Sequence, residues 1–226
     1  MLEHSNVLFS IGPVEITGVV ATMWAVIAVL ALASWLATRR LKDVPCPLQN
    51  LAELAVGKLQ GYYEDILGKE LTRKYFPVFA TFFIFIIVSN YSGILPGAGH
   101  LPAFAVPTAC LSVTAGLAVV AFFTTHTVGI RERGAGNYFK SFLKPFALLL
   151  PLTLLEQFVR PFSLAMRLYG NLYGEEMVTG NLYNIFPILM PLVMNVLSLL
   201  FCFLQAMIFT MLLGLYTAEA AEAEEE

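Results

Sequence analysis

A chain of 226 residues that is 58% hydrophobic and 13% charged, with a formal charge of −3 and a mean hydropathy of +0.74, is too apolar to be an ordinary soluble domain. The bilayer has to act as its solvent, and no nucleic-acid partner is expected. Three scattered cysteines, Cys46, Cys110 and Cys202, suggest neither a disulfide framework nor a metal site, and no cofactor is expected.

Residues 17–38 form the first apolar run, 22 residues without a charge, long enough to cross a hydrocarbon core of ~30 Å at ~1.5 Å per residue. The run does not read as a signal sequence, because the basic cluster Arg39, Arg40 and Lys42 follows it and none precedes it. At 47–68 the pattern changes: apolar Leu51, Ala55, Leu59, Tyr62 and Ile66 recur every three or four positions against polar Gln49, Asn50, Glu53, Lys58, Glu64 and Asp65. This predicts an amphipathic helix, lying flat on the cytoplasmic interface or packed on a protein partner, since amphipathicity does not tell lipid from protein.

A helical hairpin over 76–125 follows, with apolar runs at 76–95 and 104–125 joined by a Gly- and Pro-rich loop over 90–107. Asn90-Tyr91-Ser92 in that loop matches a glycosylation acceptor, a pattern too short to carry weight. The stretch 134–141 resembles a phosphate-binding loop, but Phe139 stands where the glycine before the lysine belongs, so no nucleotide site is expected.

The last hairpin, 145–216, has runs at 145–183 and 186–216, and 217–226 forms an acidic tail expected to be frayed and solvated. As one helix, 145–183 would be about 58 Å long, nearly twice the core thickness, and would have to tilt strongly or bend. The expected architecture is an all-α polytopic membrane protein, one membrane domain of five crossings plus one interfacial helix, the last two helices long and tilted. Eleven of the 13 Lys and Arg residues fall between the first and second runs or between the third and fourth. The positive-inside rule therefore places those two segments and the C-terminus in the cytoplasm and the N-terminus outside.

Within the last hairpin lie Glu156, Gln157, Arg160, Arg167, Asn171, Glu175, Glu176, Asn195, Ser198 and Gln205. A charge at mid-bilayer costs about 2.5–3.5 kcal/mol on insertion scales, which makes such residues functional candidates. Counted along the two runs, Arg167 and Gln205 both fall near mid-depth and are placed to meet. Asn171 shares the face of Arg167, whereas Glu176, nine residues on, faces about half a turn away. Glu156 and Arg160 also fit an ordinary helix pair, and Asn195 and Ser198 fit simple interhelical bonding. An ion path is the reading that uses all of them. A stand-alone transporter or a scaffold glued by polar side chains are the alternatives, although no matched pair of broken helices marks a transporter.

The segment Arg160-Pro-Phe-Ser-Leu-Ala-Met-Arg167-Leu-Tyr-Gly-Asn171-Leu-Tyr-Gly-Glu-Glu176 resembles the signature of subunit a of rotary ATP synthases, in which Arg-Leu-Phe-Gly-Asn recurs. Leu204-Gln205-Ala-Met-Ile-Phe-Thr-Met-Leu resembles that family's last helix. The resemblance implies a non-catalytic stator subunit of the membrane sector in a bacterial inner membrane, partnered by a ring of c subunits and peripheral-stalk b subunits. It implies that Arg167 is the essential arginine facing the ring, with Asn171, Glu176 and Gln205 in the polar path around it. H⁺ or Na⁺ would enter from outside past Glu176 and leave near Glu156, through two half-channels offset so that no continuous pore dissipates the gradient. The chain departs from the family pattern twice. Ser198 stands where a histidine is frequent, and Cys110 where an aspartate is frequent.

Overall fold

The computed structural model describes residues 7–11, 14–39, 47–94, 106–141, 150–183 and 189–222. The centre of the loop expected at 90–107, the start of the 145–183 run and the end of the acidic tail lie outside them. Six α-helices follow in order: α1 Gly18–Thr38, α2 Pro47–Tyr91, α3 Leu111–Arg133, α4 Ala135–Ser141, α5 Leu150–Tyr183 and α6 Leu189–Ala221. Single 3₁₀ turns, Ser92–Ile94 and Pro107–Ala109, close α2 and precede α3. The protein is an all-α polytopic membrane protein. Among the described residues four helices, α1, α2, α3 and α6, are long and apolar enough to cross a bilayer. α5, at 34 residues, falls short of that measure because five charged residues lie along it.

A short antiparallel hairpin, β1 Val7–Ile11 with β2 Val14–Thr17, precedes α1 and was not anticipated. Its β-branched Val7, Ile11, Val14, Ile16 and Thr17, with Gly12-Pro13 between the strands in sequence, supply the local preference.

Within α2 the interfacial segment and the second crossing are two helical segments that meet at a break at Gly68, whose φ of +75° is a conformation that only glycine adopts without strain. The bend is latched: the Thr72 hydroxyl donates to the Tyr63 carbonyl at 3.0 Å, and the Tyr63 hydroxyl to the Phe79 carbonyl at 3.4 Å. Only the end of the amphipathic face packs on protein. Tyr63 and Leu67 are buried, Leu59, Tyr62 and Ile66 partly so, while Leu51, Leu54, Ala55 and Val56 are exposed.

α6 is the centre of the bundle, packing on α2, α3 and α5. Its buried positions, Ser198, Cys202, Gln205, Ala206, Phe209, Thr210, Leu213 and Thr217, recur every three or four residues and form one stripe. Phe79, Phe82 and Ile86 of α2 and Leu164, Leu168 and Leu172 of α5 complete the core. Outside it, large apolar side chains stand exposed along the long helices, among them Trp24, Leu32 and Trp35 of α1 and Phe158 and Phe162 of α5. Hydrocarbon is the solvent such surfaces fit.

Two sequence boundaries shift. α2 continues to Tyr91 and buries Asn90 at 1% exposure, so the loop starts later than expected. α6 continues to Ala221, and Glu219 belongs to its last turn rather than to a frayed tail.

Candidate functional site

α5 and α6 carry their polar residues on facing stripes, and the structure joins them into a ladder of side-chain pairs. At one end the Ser198 hydroxyl bonds the Glu175 carboxylate, and it also lies 2.9 Å from the Met194 carbonyl of its own helix. One turn back along α5, Asn171 Nδ2 donates to Gln205 Oε1 at 2.6 Å. At the other end the Arg160 guanidinium forks onto both oxygens of Glu219, at 2.7 and 2.9 Å, donates to Glu156 at 2.7 Å, and lies 4.9 Å over the Tyr216 ring.

Arg167 sits between the second and third of these rungs, partly buried. Among the described residues it has neither an ion pair nor a hydrogen bond. Gln205, expected to meet it, instead bonds Asn171. Arg167 is placed where the buried stripe Leu164, Leu168 and Leu172 meets the exposed stripe Phe158, Phe162 and Met166. One side of the residue therefore adjoins the core and the other an open apolar face.

A cavity of about 260 Å³ opens between the helices at the Glu175 end, lined by Asn171, Gly174, Glu175, Val178, Met194, Leu197, Ser198 and Phe201. It has room for several waters. Glu176 is the next residue of α5, and its side chain is outside the described residues. Asn195 is exposed and takes no part in the ladder among the described residues. Glu156 is tied to Arg160 at the opposite end. Among the described residues no cluster of His, Cys, Asp or Glu is arranged to hold a metal.

The amide pair contributes little to the stability of the bundle. Interhelical hydrogen bonds in membrane bundles contribute about 0.6 kcal/mol on average. Gln205 is 3% exposed and its Nε2 has no partner among the described residues. Leaving a buried donor unpaired costs about 1–3 kcal/mol, more than the Asn171 bond returns. An apolar residue at 205 would avoid that cost. Nearby, Ser89 Oγ, Asn90 Oδ1 and Thr108 Oγ1 are likewise buried without partners, while Asn90 Nδ2 donates to the Cys202 carbonyl at 3.4 Å. Sequence reasoning missed Asn90 because the Gly- and Pro-rich pattern assigned it to the loop. It missed Glu219 because the surrounding glutamates assigned it to the tail. A signal for Glu219 existed, since it follows Ser198 and Gln205 on the same face at multiples of seven.

Residues 20–218 match the family model described as ATP synthase A chain. The protein named ATP synthase subunit a 2 of a Bradyrhizobium strain is 38% identical over 216 residues, covering 96% of this chain and 94% of that protein. ATP synthase subunit a of Moorella thermoacetica is 38% identical over 211 residues, 93% of this chain and 94% of its own length. The like-named protein of Geobacter sulfurreducens is 37% identical over 207 residues, 90% of this chain and 87% of its own.

Proposed function

The chain belongs to the ATP synthase subunit a family, the stator component of the Fo membrane sector, and on that premise we propose that the α5–α6 seam is an ion path interrupted by Arg167. α5 is then the fifth crossing, and its partners are a ring of c subunits on the open face beside Arg167 and b subunits of the peripheral stalk. The N-terminus lies outside, the C-terminus lies in the cytoplasm, and the membrane is the bacterial plasma membrane.

The observation that carries this reading is Arg167 itself, a cation with no partner among the described residues, set between polar pairs on a helix whose other face is apolar. Such a placement costs several kcal/mol unless a partner from outside the chain completes it, and a carboxylate on a passing ring supplies that partner. From outside, H⁺ or Na⁺ enters past Glu175, Glu176 and Ser198, passes Asn171 and Gln205, and neutralises a ring carboxylate. After the ring has carried it round through lipid, it leaves toward the cytoplasm near Glu156. The choice between H⁺ and Na⁺ is set by the ring, where the binding carboxylates lie. No step on this chain touches a nucleotide. The test is whether the tagged chain co-purifies with a ring of small two-helix proteolipids and supports ATP-driven pumping in vesicles. Recovery of the chain alone in a fully active, ring-free transporter would replace this reading with that of a secondary carrier.

Two further outcomes are expected. Glu176→Gln slows ion entry more than Glu175→Gln, because Glu175 is already bonded to Ser198 and Glu176 is the acid left to meet the incoming ion. Initial rates of ATP-driven pumping that ranked the two the other way would assign entry to Glu175. Ser198→His places a group with an ordinary pKa of ~6.5 beside the Glu175 carboxylate, and it should add a pH-dependent limb to the pumping profile near neutrality. An unchanged profile would remove position 198 from the path.

A further inference from the structure

The ladder residues fall at 160, 167, 171 and 175 on α5 and at 198, 205 and 219 on α6. At ~100° per residue each set stays within a stripe of about 80°. The pairs Glu175 with Ser198, Asn171 with Gln205 and Arg160 with Glu219 follow one another in antiparallel order. Interpolated between the last two, the level of α6 opposite Arg167 is about residue 210, where the residue on the ladder stripe is Leu212. That level of α6, residues 209–212, reads Phe, Thr, Met, Leu. Its one hydroxyl donates to the Ala206 carbonyl of its own helix at 2.8 Å. The rung facing Arg167 is therefore blank.

We propose that Arg160 and Glu219 are positioning residues for ion transfer, a forked clamp that fixes α6 against α5 so that Arg167 keeps facing the blank rung and stays free for a ring carboxylate. The inference rests on the reading of Arg167 given above. A bidentate Arg–carboxylate pair fixes distance and rotation together, which a single hydrogen bond does not. The Arg160 side chain is 16% exposed and held by Glu219, Glu156 and the Tyr216 ring, so its own position is well determined. Glu219 is 61% exposed, which limits what the pair adds to stability but not its geometric effect. Without the clamp, α6 ends two residues further on with no other ion pair to α5 among the described residues. A slip of α6 by one turn, ~5.4 Å, would carry the Gln205 carbonyl away from Asn171 and toward Arg167, giving the guanidinium an internal acceptor that competes with the ring.

The test uses the complete complex in inverted vesicles, with Arg160→Lys, Glu219→Gln and Arg167→Ala measured together. Lys74→Gln serves as a control, because its 2.9 Å pair with Glu132 has similar chemistry on α2 and α3, away from the seam. The readouts are the ratio of ATP-driven pumping to ATP hydrolysis per assembled complex, and passive ion leak after removal of the soluble sector. Arg160→Lys keeps the charge and loses the fork, and Glu219→Gln keeps an acceptor and loses the charge. Each is expected to lower the ratio about threefold with assembly retained, a size suited to a part-exposed pair. Lys74→Gln is expected to leave the ratio unchanged. If both clamp variants reduce only the amount of assembled complex while the ratio holds, the pair is merely structural and the proposal is overturned. If Arg167→Ala also keeps its ratio, the gate reading falls and takes the clamp with it. A collapse in Arg167→Ala beside normal clamp variants overturns the clamp alone.

Discussion

Arg167→Ala is expected to abolish coupled ATP synthesis while leaving the assembled complex in the membrane, and to open a passive leak between the two half-channels proposed above. Arg167 makes no bond that holds the fold among the described residues, so removing it costs the bundle little. What is lost is a fixed cation. A guanidinium keeps its charge at any working pH and can grip a carboxylate with two parallel bonds, which under the proposed function drives each arriving ring site to release its ion before it passes. Arg167→Lys rescues little, because a buried ammonium can neutralise and has no fork. Moving the arginine to position 205 in exchange for glutamine retains part of the barrier, since the two positions lie at similar depth on facing stripes. Synthesis and leak in reconstituted vesicles decide the matter, and an assembled Arg167→Ala complex making ATP at a normal rate would sink the gate.

Gly129→Val is expected to eliminate the folded chain, and Gly129→Ala to reduce it several-fold. Gly129 of α3 lies where α3, α4 and α6 converge. A β-carbon there would stand 2.6 Å from Tyr138 Cε2 and 2.9 Å from the backbone oxygen of Ala220. The tyrosine is buried at 3% and the oxygen is main chain, so neither yields without moving an element. Overpacking of this kind costs about 1–3 kcal/mol for one or two methylenes, and valine adds more. Immunoblots of membranes together with the melting temperature of the detergent-extracted complex report it. Wild-type levels of Gly129→Val would show that α6 can back away from α3. Gly116, with open space around it, is the matched control and should accept alanine without loss.

The order of helices and the polar stripe of α5 were legible in the sequence because both are periodicity statements. A 22-residue apolar run has few alternatives in a chain of this composition, and an arginine among leucines is conspicuous in any register. The bend inside α2 was legible only as a change of pattern. That the two segments are latched across Gly68 by Thr72 and Tyr63 depends on a hydroxyl reaching a carbonyl nine residues away, and no local rule states this. Pairing across the seam was the least legible part. Depth counting put Arg167 and Gln205 together, but the helices meet with an offset that gives Gln205 to Asn171, because counting from run ends ignores how far α5 and α6 slide while packing Leu168 and Leu172. Glu219 was hidden by its neighbours, since five glutamates in ten residues read as solvated unless the partner arginine is known to lie opposite.

The threonines inside the bundle have a consequence for how the chain is made. Thr22, Thr114, Thr124, Thr210 and Thr217 each donate a hydroxyl to a carbonyl of their own helix. Such a helix can leave the translocon with these hydroxyls already satisfied, needing no neighbour to make it tolerable in lipid. α1 and α3 are of that kind. α5 is not: Asn171 and Glu175 find their partners on α6, which is synthesised afterwards, and Arg160, held within α5 by Glu156, gains its fork onto Glu219 only then. The nascent chain therefore passes through an interval in which α5 exists and its α6 partners do not, so the seam closes only when the last helix has been made.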